Sequence, residues 1–186
     1  MTVMKKLFLM IMAAVALMTG CTSKESRQTE KEQTTMETAK DTFALSAEER
    51  AQNMQEVHDY VRECGYYTIA TVDGDQPRVR AFNSFEIING RLYVMTGKKK
   101  DVYKQLDKNG KFELIAVKRD FSEWIRVSGV LVDDPDVEPQ KEYLKRNPQF
   151  ANSYQPGDGN MAMLYITNAT ARFCSFTGKP ERSINF

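Results

Sequence analysis

The chain has 186 residues, 41% hydrophobic and 27% charged, with 26 Lys and Arg against 25 Asp and Glu. A net charge of +1 gives no electrostatic footprint for a nucleic acid, so none is expected as a partner. One histidine (His58) and three cysteines (Cys21, Cys64 and Cys174) leave little material for a histidine-rich metal centre or a serine–histidine triad.

The first residues read as a targeting segment. Lys5 and Lys6 precede an apolar run from Leu7 to Met18, of signal-peptide length and too short to span a bilayer comfortably. Met18-Thr19-Gly20 before Cys21 resembles a bacterial lipobox, in which the peptide is cut ahead of a cysteine whose thiol is lipidated. The expectation is a signal peptide over residues 1–20 and lipidation at Cys21. That places the protein in the bacterial cell envelope, lipid-anchored on the periplasmic or extracytoplasmic side. The alternative is an ordinary secretory signal with an incidental cysteine. From Thr22 to Thr42 there is one Met and no other large apolar residue, too little surface to offset the entropy of ordering. Residues 21–42 therefore read as a flexible tether and 43–186 as one folded domain.

Within the domain, Ser46 with Glu49 three residues later forms a capping-box pattern. Met54, Val57, Tyr60 and Val61 then recur at helical spacing until Gly65. His58 sits on this helix among polar neighbours and reads as a surface or boundary residue. From Tyr66 the period becomes two: "YYTIATV" is a strand, Asp73-Gly74-Asp75 a hairpin turn and "RVRAFNSFEI" a second strand. Asn89-Gly90 is another turn and "RLYVMT" a third strand. "KKDVYKQLDKN" is a short helix with Val102 and Leu106 on one face, closed by Gly110. "KFELIAVK" and "EWIRVSGVLVDD" are further strands, "VEPQKEYLKRNPQF" a proline-interrupted helix, and "MAMLYITNATARFCSF" one long or two broken strands. Hairpin-linked strands with short inserted helices predict a mainly β (α+β) domain, an antiparallel β-barrel with flanking helices. The first strands are too tightly linked for parallel crossovers.

Two clusters of cations stand out. Arg78 and Arg80 share one face of the second strand, continued by Phe82 and Ser84, while Val79, Ala81 and Phe85 read as the core-facing side. Thr96-Gly97-Lys98-Lys99-Lys100 leads from the third strand into a helix start, where free N–H groups and the positive end of the dipole favour an anion. Gly97 lets the backbone approach a ligand closely, and Arg80 offers a planar fork to the same phosphate. Cys64 and Cys174 fit no metal framework and are either paired in an oxidising compartment or two separate buried thiols.

The pieces "YYTIATVDGDQPRVRAF", "GRLYVMTGKKKDVYKQL", "KFELIAV" and "WIRVSGVLV", in this order, resemble the pyridoxamine 5′-phosphate oxidase-like proteins, nearest the nitroimidazole-resistance-like subgroup. The resemblance covers roughly residues 50–186. It implies an FMN-binding split barrel, a homodimer with FMN at the subunit interface, and oxidoreductase chemistry on a small molecule. Pro77 to Arg80 matches the family's Pro-x-x-Arg strand, which gives Arg80 the phosphate and lays Ala81, Phe82 and Asn83 along the cofactor, with Arg78 beside them. Thr96 matches the threonine ending the third strand, and Lys98, Lys99 and Lys100 loosely match the basic residues at the helix start. Trp124 begins the strand by which a partner subunit reaches the flavin, and equally suits a core or dimer contact. The C-terminal "FTGKPERSINF" has Arg182 without the fuller Trp and Arg arrangement of pyridoxal phosphate recognition, so the strict oxidase activity is not implied. The alternatives are a non-catalytic flavin- or haem-binding module, for which His58 is the single candidate axial ligand, and a barrel without cofactor that acts as an interaction domain.

Overall fold

Local sequence signals set most of the elements. The computed structural model describes residues 45–176, 178 and 181–186; the signal peptide, the tether and Cys21 lie outside the described residues. Helix α1 (Ala47–Cys64) starts with the reciprocal Ser46–Glu49 capping box and ends at Gly65, which has φ of 85°. It is followed by β1 (Tyr67–Asp73), β2 (Gln76–Phe82), β3 (Glu86–Ile88) and β4 (Arg91–Gly97). Then come α2 (Asp101–Lys108), β5 (Lys111–Val117), β6 (Glu123–Asp133), α3 (Glu138–Arg146) and a 3-10 turn at Pro148–Phe150. The chain closes with β7 (Met161–Ser175) and β8 (Arg182–Asn185). Asn89 and Gly90 take φ of 49° and 75°, the paired left-handed geometry that a two-residue hairpin needs.

All strand pairs are antiparallel, in the order β2-β1-β5-β6-β7-β4-β3, with β8 added on β7. β2 and β3 end opposite sides of this order, yet only residues 83–85 join them. The sheet must therefore curl until its two ends meet, which makes the antiparallel split barrel expected above. The predicted single strand "RVRAFNSFEI" is broken at this seam. Ser84 holds the break: its hydroxyl donates to the Met95 carbonyl and accepts from the Met95 N–H, both at 3.0 Å, while the Tyr67 hydroxyl donates to the Ser84 carbonyl at 2.7 Å.

Ile69, Leu92, Val94, Leu114, Ile125, Val127 and Ala171 fill the interior and α1 covers it with Val57 and Val61. A second cluster, with Tyr93, Met95, Tyr143, Tyr154 and Met163, packs on the other face of β4. That is why β4 is buried on both faces and reads as a continuous apolar run.

Three expectations change. Val79 and Ala81 are not core: Val79 is 64% exposed and Ala81 is exposed. Phe82 and Arg80 lie directly opposite the buried Tyr67 and Ile69, so the arginine face is the inward one. Gly110 does not close α2, which ends at Asn109 in extended geometry. A Cβ on Gly110 would lie 2.7 Å from the Leu131 carbonyl oxygen, so this glycine serves a close backbone approach. Strand β8 was not foreseen; β7 is one strand, with a register shift at Ser128/Val130 opposite Asn168.

Candidate functional site

Arg80 reaches inward from β2 and is held in place. Its guanidinium donates to Thr71 Oγ1 at 2.6 Å and to Gln105 Oε1 at 2.9 Å, and the Thr71 hydroxyl donates to the same Gln105 oxygen at 2.7 Å. Thr71 and Gln105 are buried, at 4% and 8% exposure, so the triad is shielded while the guanidinium keeps further N–H donors. Partial burial lowers the Arg80 pKa, the nearby Arg78 adds to the effect, and Asp101 opposes it. Arg78 itself is exposed and pairs with Asp73 at 3.3 Å.

The α2 start has no side-chain cap, and the N–H groups of Asp101 and Val102 have no acceptor among the described residues. Asp101 turns to Lys104 at 2.9 Å, which draws its negative charge along the helix surface. Of the three lysines, Lys99 and Lys100 are exposed; the Lys99 charge helps to lower the Asp158 pKa, and the Lys99 N–H donates to Asn160 Oδ1 at 3.2 Å. Lys98 points elsewhere: its ammonium donates to Asp133 at 2.6 Å, which also accepts from the Tyr103 hydroxyl at 2.8 Å. Thr96 is 2% exposed, and its hydroxyl has no hydrogen-bond partner among the described residues.

Next to this cluster along the chain, Ala81, Phe82, Asn83 and Lys100 line a cleft of about 140 Å³. Ser84, Met95, Phe150 and Tyr154 complete its wall. Trp124 lies outside that wall and packs against Phe176, ring centroids 4.5 Å apart. His58 is boundary in position: it is bonded to Asp59 at 2.9 Å and stacks near Phe85, centroids 6.4 Å apart. Arg182 pairs with Glu56 and lies 4.1 Å from the Phe173 ring centroid. Cys64 and Cys174 are free thiols, and burial raises the pKa of each. Among the described residues no group of three metal-ligating side chains converges, and no helix is long and apolar enough to cross a membrane.

The cleft therefore brings together Ala81, Phe82, Asn83 and Lys100, with Arg80 and Thr96 close along the chain; Lys99 lies by Asn160 and Asp158, and Arg78, Lys98 and Trp124 make other contacts. Sequence reasoning missed Thr71, Gln105, Phe150 and Tyr154. Gln105 had a legible signal, an amide on the helix face shared by Val102 and Leu106. Phe150 and Tyr154 had none, because their position depends on how residues 147–160 fold back on β4.

The backbone aligns with a crystal structure of a NimC/NimA family protein from Clostridium acetobutylicum at a TM-score of 0.71 and 31% identity, over 75% of this chain and 96% of the other. The chain belongs to the NimC/NimA family. General Stress Protein 26 from Bacillus anthracis str. Sterne shares the fold at a TM-score of 0.58 and 15% identity, covering 72% of this chain and 98% of its own. So does a Clostridium acetobutylicum protein related to general stress protein 26 of B. subtilis, of the pyridoxinephosphate oxidase family. Its TM-score is 0.54 at 14% identity, over 73% of this chain and 94% of its own. No protein-family profile and no curated protein matches the chain. These neighbours share the fold of this NimC/NimA family chain, the antiparallel split barrel that the motif order had implied.

Proposed function

We propose that the chain binds FMN at the cleft beside Arg80 and acts as a flavin-dependent oxidoreductase on a small molecule. It does so as a homodimer, from a lipid-anchored position in the bacterial cell envelope. The observation that carries this reading is the Arg80 triad: a guanidinium fixed by Thr71 and Gln105 near an uncapped helix start, with Lys100 at the wall of the cleft. Such a set suits a dianionic phosphate. The residues present fit the cofactor in a second respect, since the buried Thr96 hydroxyl lacks a partner.

Arg80, Lys99 and Lys100 would hold the phosphate, with the Thr96 hydroxyl as a further donor. Ala81, Phe82 and Asn83 would lie along the ring system, and Phe82, Met95 and Phe150 would keep water from it. Bound there, the isoalloxazine supplies the electron-accepting and electron-donating chemistry. The chain's part is to bind, orient and shield, and that needs no catalytic acid or base. The homodimer reading is supported by the outward faces of β2 and β5 on either side of β1, where Val79 is 64% and Ile115 37% exposed. Lipid anchoring rests on the lipobox at Cys21.

The test is the absorbance of the full chain purified in detergent. A flavin double band, released as FMN on denaturation, is the expected result. A haem Soret band, or a colourless preparation that ignores added FMN in calorimetry, would refute the reading. Reoxidation of the chemically reduced protein by a quinone or nitroaromatic separates enzyme from carrier. Cys21→Ser should move the protein out of the membrane fraction.

A further inference from the structure

Tyr154 is 8% exposed, and its hydroxyl has no hydrogen-bond partner among the described residues. Two other deeply placed tyrosines of this region are paired: Tyr67 donates to the Ser84 carbonyl and Tyr93 to Asp134, each at 2.7 Å. The hydroxyl is not fully enclosed, unlike those of Tyr60 and Thr96, so it is free to donate to a ligand that enters beside it. Tyr154 lines the cleft together with Ala81, Phe82, Asn83 and Lys100.

The segment that carries it is firmly held. The Tyr154 N–H donates to the Phe150 carbonyl at 3.0 Å, the Gly157 N–H to Gln140 Oε1 at 2.8 Å, and the Asn160 and Met161 N–H groups to Asp158 Oδ1 at 2.7 Å. Tyr154 also leans over the turn that leads to the lysines: a Cβ on Gly97 would lie 3.0 Å from its hydroxyl oxygen. The absence of a side chain at Gly97 is what allows this approach. The cleft itself, at about 140 Å³, matches the roughly 150 Å³ that admits one benzene-sized ring.

We propose that Tyr154 is a ligand-binding residue whose hydroxyl donates a hydrogen bond to the planar heterocycle held along Ala81–Asn83, one ring of which enters the cleft beside Phe150. This rests on the flavin reading above and extends it to a residue of the 147–160 segment. The ligand's acceptor is a ring nitrogen or carbonyl oxygen, not its phosphate, and that separates Tyr154 from Arg80.

The experiment titrates the full chain, stripped of bound ligand, with FMN and separately with riboflavin, which lacks the phosphate. Tyr154→Phe is expected to weaken both by a similar factor, about two- to tenfold. Arg80→Ala is expected to weaken FMN while leaving riboflavin nearly unchanged. A phenol close to an isoalloxazine quenches its fluorescence by electron donation and a phenyl ring does not, so Tyr154→Phe should also brighten the bound flavin. Gly97→Ala, which pushes the hydroxyl aside without removing it, should shift both affinities in the same direction, and it decides the matter if Tyr154→Phe does not fold. If the parent binds FMN and Tyr154→Phe matches it in both affinities and in fluorescence, this inference falls and the flavin reading stands. Loss confined to FMN would overturn it too, since the effect would then run through the phosphate. A parent that binds neither ligand overturns both.

Discussion

Replacing Arg80 by alanine tests two consequences of one geometry. In the folded chain the guanidinium makes hydrogen bonds of 2.6 Å and 2.9 Å to Thr71 and Gln105. Hydrogen bonds from a charged donor contribute about 1.5–3 kcal/mol each in net terms. Arg80 is only half-buried, and the 2.7 Å Thr71–Gln105 bond survives its removal, so neither neighbour is stranded. The expected loss of stability is therefore about 1.5–3 kcal/mol in all rather than twice that. For a domain of this size that lowers Tm by about 3–12 °C. The lost phosphate contact adds a separate effect, a rise in the FMN Kd of about ten- to hundredfold. Urea titration of the apo chain reads the first, and calorimetry with FMN below the variant's Tm reads the second. Arg80→Lys should recover little of either, because a single ammonium cannot reproduce the fork. A variant with unaltered urea midpoint and parental FMN affinity would refute the reasoning.

Lys98→Ala should lower stability by about 1–2 kcal/mol, between the values for exposed and buried pairs, because it removes the 2.6 Å partner of Asp133, whose Oδ1 is already unpaired among the described residues. FMN affinity should not change, and a matched loss of affinity would return Lys98 to the binding site. Gly110→Ala should be destabilising by about 1–3 kcal/mol in urea, since its Cβ meets the Leu131 carbonyl oxygen at 2.7 Å; a neutral result would mean that β5 can shift freely. Burial raises the Asp134 pKa, but the Asp136 N–H, the Tyr93 hydroxyl and Arg91 outweigh it and hold the carboxyl below its ordinary value. The stabilisation is thus present above the unfolded pKa, about 3.9, and lost as pH falls through the lower folded value. Urea midpoints measured from pH 6 down to pH 2 should fall less steeply for Asp134→Asn than for the parent, and parallel curves would exclude this role.

The barrel was legible because its signals are local. The Ser46–Glu49 box, the Asn89-Gly90 turn and the period-two runs each specify backbone geometry within a few residues, and their sum leaves little choice but an antiparallel sheet. The concentration of positive charge near the cleft was legible for the same reason: Arg80 and the 98–100 lysines are conspicuous as residue types, although only Lys100 of these lines the wall. What the chain order could not give was direction. Alternation on β2 showed that Arg80 and Val79 face opposite ways, but which of them faces inward depends on the register with β1, where Arg80 lies opposite Ile69. Lys98 and Lys99 are neighbours in sequence, yet Asp133, 35 positions away from Lys98, captures only one of them. Tyr154 carries no pattern of its own, and it reaches the cleft because residues 147–160 fold back against Gly97. Sequence by itself determined which segments are strands and where positive charge is concentrated, since both follow from short-range sterics and composition. Only the tertiary structure decided which of those charges are left unpaired and which hydroxyl stands over them, because long-range pairing allots each donor its acceptor.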